Sequence, residues 1–187
     1  MQKRVFIVHR WEGNSQSDWY PYIRSELKNK GFIVEIPDMP DSLNPKIDKW
    51  VSTLKNLIKN PDSNTFFIGH SIGCQTILRY LDSLNKDIKI GGAIFVSGWF
   101  NIKYFENEEV KAIAMPWSET PIDFVKVKKI LNRSTAIFSD DDEYVPISDS
   151  GLFNERLNSK ILIEKGKGHF MDKKYDFILK EFLKLSA

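Results

Sequence analysis

Thr65-Phe66-Phe67-Ile68-Gly69-His70-Ser71-Ile72-Gly73-Cys74-Gln75-Thr76-Ile77-Leu78-Arg79-Tyr80 is the stretch around which the chain is organised. A short apolar β-type run, residues 66–68, feeds a serine flanked by Gly69 and Gly73, and an apolar helical pattern (Ile72, Thr76, Leu78, Tyr80, Leu81) follows without a break. A serine on such a strand-to-helix turn is held clear of its neighbours with its hydroxyl exposed. Glycine is expected at 69 and 73 because a Cβ there would press on the crossing backbone. The helix behind Ser71 offers a positive amino end, and the amide of Ile72 can point at a developing oxyanion. Ser71 is therefore the candidate nucleophile. The alternative, a glycine-rich turn with an ordinary serine, has to be judged from the rest of the chain.

Outward from this stretch, apolar runs alternate with helical patterns. Residues 5–8 read as a strand buried on both faces, 32–36 as a second and 92–96 as a fourth, with 135–138 and 160–163 completing six. Helices are predicted over 19–30 with Asp18 as a possible cap, around Trp50 to Ile58, over 123–131 and 150–157, and as an amphipathic carboxyl-terminal helix reaching Leu185. From 99 to 121 aromatic residues are scattered among charges with no clean period. Strands joined through helices by short loops predict an α/β fold, a three-layer α/β/α sandwich on a mostly parallel six-stranded sheet. The 187 residues are read as one domain, 1–187.

The charges nearly balance, Lys plus Arg 27 against Asp plus Glu 25, which gives no reason to expect nucleic acid or an anionic membrane as partner. No stretch has the apolar length of a membrane span, and no leader pattern precedes the first strand. With a single cysteine there is no internal disulfide, which fits a cytoplasmic protein. Cys74, one helical turn past Ser71, reads as a packed small residue rather than a nucleophile.

A parallel sheet delivers every strand's carboxyl end to one edge. His9, Ser71, Ser97, the run Asp140-Asp141-Asp142 and His169 all follow predicted strand ends and should share that rim. A serine needs a base with a pKa near the working pH, which points to histidine. His70 adjoins Ser71, but neighbours on a tight turn point different ways, so it reads as structural. His9 lies in the first loop and reads as loop-shaping. His169, in Gly166-Lys167-Gly168-His169-Phe170, has the loop freedom to present its ring and is the candidate base. A carboxylate should orient it. The order serine, aspartate, histidine is that of α/β-hydrolases, but periodicity does not choose among Asp140, Asp141 and Asp142.

The chain as a whole resembles the small, lidless serine hydrolases of the α/β-hydrolase superfamily, the YdeN-type group related to retinoblastoma-binding-protein hydrolases. The likeness covers nearly the full length: Val8-His9, Trp19-Tyr20-Pro21, Met39-Pro40-Asp41, Trp50, the Gly69 to Cys74 elbow, Phe95-Val96-Ser97-Gly98, Asp141-Asp142 with Val145-Pro146, and Gly168-His169-Phe170. It implies a minimal α/β-hydrolase fold without a large lid, hence an open site. It also implies Asp142 as the acid, four residues before Pro146, with the amide of Trp11 as second oxyanion donor beside that of Ile72. Two departures stand out. Relatives commonly read His-Gly where this chain has His9-Arg10-Trp11, so Arg10 either meets an anionic substrate or covers the rim. Glu143 adds a negative charge next to Asp142, expected to raise the pKa of the pair.

The aromatic group after the fourth strand, with Trp99, Phe100 and Trp117, is a candidate pocket for the acyl or alcohol part of a substrate, against the alternative of core. The expected activity is a cytoplasmic serine hydrolase, carboxylesterase-like, cleaving small esters or thioesters through an acyl-enzyme on Ser71 with no metal or organic cofactor. The rivals are a protein-binding member of the fold and a small-amide peptidase or amidase. The expected partner is a small-molecule acyl substrate.

Overall fold

Successive side chains of a strand point to opposite faces, so each apolar run has to supply two cores at once. The structure, a computed structural model, describes residues 2–187. The chain opens with β1 (Arg4–Val8), α1 (Tyr20–Asn29), β2 (Ile33–Glu35) and α2 (Ile47–Leu57). Next, β3 (Thr65–His70) runs into α3 (Ile72–Asp82), and β4 (Gly92–Val96) is followed by α4 (Glu108–Glu119) and α5 (Phe124–Ile130). Then come β5 (Ser134–Ser139), α6 (Asp149–Leu157), β6 (Lys160–Glu164) and α7 (Asp176–Ser186).

The strands form one six-stranded sheet in the order β2-β1-β3-β4-β5-β6, and every pairing is parallel. Register places Val8 beside Gly69, His70 beside Val96 and Ser139 beside Glu164, so the carboxyl ends finish along one edge. The winding reverses between β1 and β3, the crevice where open α/β sheets bind ligands. The α/β fold read from the sequence is the one observed.

Val5, Ile7, Phe66, Ile68, Ile94, Val96 and Ile137 pack with Tyr20, Ile23 and Leu27 of α1 and with Ile178 and Phe182 of α7. Their strand neighbours Phe6, Val8, Phe67, Ala93, Phe95, Ala136 and Phe138 face α2, α3, α5 and α6 through residues such as Trp50, Ile77, Val127 and Phe153. Ten of the eleven residues of α3 are buried, because it lies against the middle of the sheet with other helices on its flanks.

Two local expectations differ from the structure. Residues 99–121 are not without periodic structure: they contain α4, capped by the Asn107 side chain, which accepts a hydrogen bond from Val110 N at 2.8 Å. Pro116 lies inside this helix and removes one amide from its ladder, next to the exposed surface that relieves the freed carbonyl. Asp18 does not cap α1. It sits at φ 49°, and Trp19 occupies the cap position without a side-chain bond.

Candidate active site

Ser71 joins β3 to α3 at φ 53° and ψ −121°, a conformation that costs a side chain energy and persists only where surroundings enforce it. The enforcement is steric and hydrogen-bonded. Ser71 N–H donates to Val96 C=O at 2.9 Å, and Cys74 N–H donates to Ser71 C=O at 2.9 Å. A Cβ on Gly73 would stand 2.2 Å from the Val8 carbonyl oxygen, and one on Gly69 would stand 2.9 Å from Cys74 N. The turn is thus seated directly on the end of β1. Burial pushes the Cys74 thiol pKa up, and the residue packs in the core.

The end of β5 and the loop after β6 build the second part. His169 Nδ1 lies 2.9 Å from Asp142 Oδ2 and 3.1 Å from Oδ1. Asp142 Oδ2 also accepts from Ser97 Oγ at 2.7 Å, and Oδ1 accepts from the amides of Tyr144 and Val145 at 3.0 and 3.1 Å. Burial pushes the Asp142 pKa up, but the bonds from His169, Ser97 and Val145 together outweigh it and hold the carboxyl below its ordinary value. The rise expected from Glu143 is not found, since Glu143 is exposed to solvent while Asp142 turns inward. A carboxylate on Nδ1 leaves Nε2 as an acceptor, the state needed to take a proton from a hydroxyl.

The neighbouring aspartates hold the loop instead. Asp140 Oδ1 accepts from Gly166 N at 2.9 Å, Asp141 Oδ1 accepts from Gly168 N at 2.8 Å, and Ser139 Oγ accepts from Lys167 N at 2.9 Å. Gly166 and Gly168 take positive φ at no steric cost, whereas Phe170 at φ 56° has to be held there by its surroundings.

His9 Nδ1 lies 2.7 Å from the Arg10 carbonyl and its Nε2 accepts from Met39 N at 2.9 Å, which joins the loop after β1 to the loop after β2. His70 is wholly buried between the Tyr20 hydroxyl and the His169 carbonyl. Arg10 is engaged by Asp18, Nε to Oδ2 at 2.8 Å, so its charge is already met within the protein. Among the described residues, neither the Trp11 nor the Ile72 amide donates a hydrogen bond.

Ser71 and His169 open on one cavity of about 350 Å³, walled by Trp11, Trp99, Ile102, Phe105, Val110 and Tyr144. No hydrogen bond joins Ser71 Oγ to His169 Nε2; such contacts often tighten only when substrate binds. Of the expected pocket aromatics, Trp99 lines this cavity, whereas Phe100 and Trp117 belong to the core. Phe100 stacks 4.7 Å from Phe153, and Trp117 meets Trp50 edge-on at 6.0 Å while its Nε1–H donates to Pro45 C=O. Aromatic residues at irregular spacing do not announce which way they face. Val110 and Ala114 of α4, with the loop before it, cover one side, so the site is less open than expected.

Several contacts that build the site are not expected from the sequence. Asp149, fully buried, accepts from the amides of Phe100 and Asn101 at 2.5 and 2.8 Å and fixes the turn that presents Trp99. Ser97 braces Asp142, and Tyr20 joins Arg10 to His70. Ser97 is expected on the rim from its place after a strand, and Tyr20 belongs to the Trp19-Tyr20-Pro21 likeness, but neither signal gives the partner it bonds.

The profile of the serine hydrolase family matches residues 5–177. The chain is 28% identical to YdeN of Bacillus subtilis (strain 168) over 172 residues, covering 92% of this chain and 88% of that one. The crystal structure of the B. subtilis ydeN gene product superposes with a TM-score of 0.89 at 25% identity, covering 98% of each chain. The serine hydrolase RBBP9 of Rattus norvegicus is 24% identical over 164 residues, 87% of this chain and 83% of that one. With an elbow serine, a buried aspartate–histidine pair and a shared cavity on this fold, the chain belongs to the serine hydrolase family.

Proposed function

We propose that this hydrolase cleaves small esters or thioesters through an acyl-enzyme on Ser71, with residues 1–187 acting as one domain. The observation that carries the reading is the Asp142–His169 pair, bonded at 2.9 Å, at the same cavity as a serine held in a strained elbow. His169 Nε2 takes the Ser71 proton as Oγ attacks the acyl carbon. The oxyanion that forms is met by the free amides of Ile72 and Trp11. Collapse expels the alcohol or thiol, which leaves with the proton from His169, and water repeats the sequence to release the acid. Asp142 holds the ring and stabilises the imidazolium. The cavity walls favour a short apolar acyl or alcohol group, and Arg10, already paired with Asp18, offers no free cation to an anionic one.

The test is labelling with a fluorophosphonate probe followed by mass mapping, then hydrolysis of p-nitrophenyl esters of increasing acyl length. Labelling confined to the peptide containing Ser71 and lost in Ser71→Ala is expected, with acetate and butyrate esters turned over. A folded protein that neither labels nor turns over any ester removes the reading. Cleavage of small amides at rates comparable to esters assigns amidase chemistry instead.

A further inference from the structure

Tyr20 and His70 stand outside the reaction just described, yet both side chains are fully buried and hydrogen-bonded in series. Arg10 N–H donates to Tyr20 Oη at 3.1 Å, Tyr20 Oη lies 2.7 Å from His70 Nδ1, and His70 Nε2 lies 2.8 Å from the His169 carbonyl oxygen. A carbonyl only accepts, so Nε2 carries the hydrogen and Nδ1 must accept from the tyrosine hydroxyl. Every donor then points the same way, from the loop bearing Trp11 to the loop bearing His169. We propose that Tyr20 and His70 form a positioning relay that sets the Trp11 amide and the His169 ring together against Ser71. This rests on the catalytic reading above.

Each loop has ties of its own, His9 to Met39 N and Arg10 to Asp18 in one and His169 to Asp142 in the other, and the relay joins the two loops to each other. The His169 loop carries left-handed residues on both sides of the histidine, and its ties from Asp140 and Asp141 are at exposed positions. Its buried ties are the His169–Asp142 pair, the relay, and Trp19, whose Nε1–H donates to Phe170 C=O at 3.0 Å. Water cannot replace a bond at this depth, so a missing member leaves its partners unsatisfied. His70 is also stacked 5.2 Å from the His169 ring. Held neutral, it adds no positive charge beside His169 when that ring is protonated in the reaction.

The experiment compares Tyr20→Phe, His70→Asn and their double variant with the parent, and uses as the control Tyr22→Phe, which removes a hydroxyl bonded to Asp176 of α7 away from the site. Rates with p-nitrophenyl acetate are taken per folded site, alongside the NMR resonances of the Trp11 amide and the His169 ring nitrogens. Tyr20→Phe should lower kcat about tenfold with KM within about twofold, as a small misplacement of catalytic groups does. It should displace both sets of resonances. His70→Asn keeps an acceptor for the tyrosine but falls short of the His169 carbonyl, and should do the same. In the double variant the two losses should fail to multiply, because both cut one chain. Unchanged kcat per folded site, or Trp11 and His169 resonances unmoved by either variant, overturns the relay. If the parent itself hydrolyses no ester and takes no fluorophosphonate, the catalytic reading fails while the resonances still decide the relay. If Tyr20→Phe does not fold, His70→Asn decides through the Trp11 resonance.

Discussion

Asp142 receives four hydrogen bonds, from His169, Ser97, Tyr144 and Val145, while presenting one face to the imidazole. That arrangement makes the charge on the carboxylate, more than its volume, the property that matters. Asp142→Asn should therefore keep the fold and lower kcat for p-nitrophenyl acetate about 10³- to 10⁴-fold, because the amide favours the wrong imidazole tautomer. An effect below tenfold would place the acid elsewhere. Asp140 and Asp141 sit beside it on the same turn, but their acceptors serve Gly166 and Gly168. Three consecutive aspartates are indistinguishable by period because their roles differ only in which partners the turn brings to each one. All three lie in the turn after β5, where no strand alternation applies, and only Asp142 turns inward to meet the ring.

Among the elements, α4 is tied chiefly at its carboxyl-terminal end. Trp117 is buried there, and the Arg79 guanidinium donates to the carbonyls of Trp117 and Thr120, the latter at 2.9 Å, while burial lowers the Arg79 pKa to about 10. The amino-terminal turn, which brings Val110 to the cavity, has the Asn107 cap. Asn107→Ala should cost that turn about 1 kcal/mol and raise KM for a butyrate ester up to about fivefold, with kcat for the acetate unchanged and the melting temperature nearly so. Equal KM values for both esters would show that this turn does not wall the acyl site. The helix was legible in part: Val110, Ile113, Ala114 and Trp117 do recur at helical spacing behind an asparagine cap. Pro116 and the surrounding charges obscured it. Asp18 was misread for the opposite reason, since an aspartate before a helix is the usual cap, and its pairing with Arg10 depends on how a loop closes.

For the molecule as a whole, the two histidines buried away from the reaction make stability depend on pH. Burial is the largest cause lowering the pKa of both His9 and His70, so each stays neutral in the fold at a pH where the unfolded chain takes up a proton. A lowered folded-state pKa gives stability that is present above the unfolded value, about 6.5, and is lost as pH falls towards the folded value. Unfolding free energy from urea titrations should therefore drop between pH 7 and 5, by up to about 1.4 kcal/mol per pH unit for each histidine. Asp142, also lowered, adds its loss only below about pH 4. A flat profile from pH 7 to 5 would mean that neither histidine is held neutral. At this scale the sequence was most readable: six strands, their helices and the rim residues follow from apolar runs and from the sorting of loops by a parallel sheet. What escaped it, Tyr20 against His70 and Asp149 against Phe100, are pairings 50 and 49 residues apart that no local pattern records.

The seating of Gly73 against the Val8 carbonyl also bears on when, during folding, the serine becomes reactive. The strand carrying Val8 and the one carrying Gly69 are paired across 61 residues of chain, the kind of distant parallel contact that forms slowly. Until that pairing exists the carbonyl of Val8 is not there to close the turn around Gly73, and the histidine loop lacks the relay through Tyr20 and His70 to the first loop. During refolding from urea, reactivity towards a fluorophosphonate should thus appear with the slowest phase of tryptophan fluorescence and never ahead of it. The strained turn would then be a chemical clock for completion of the fold, recording the moment at which the first strand has docked.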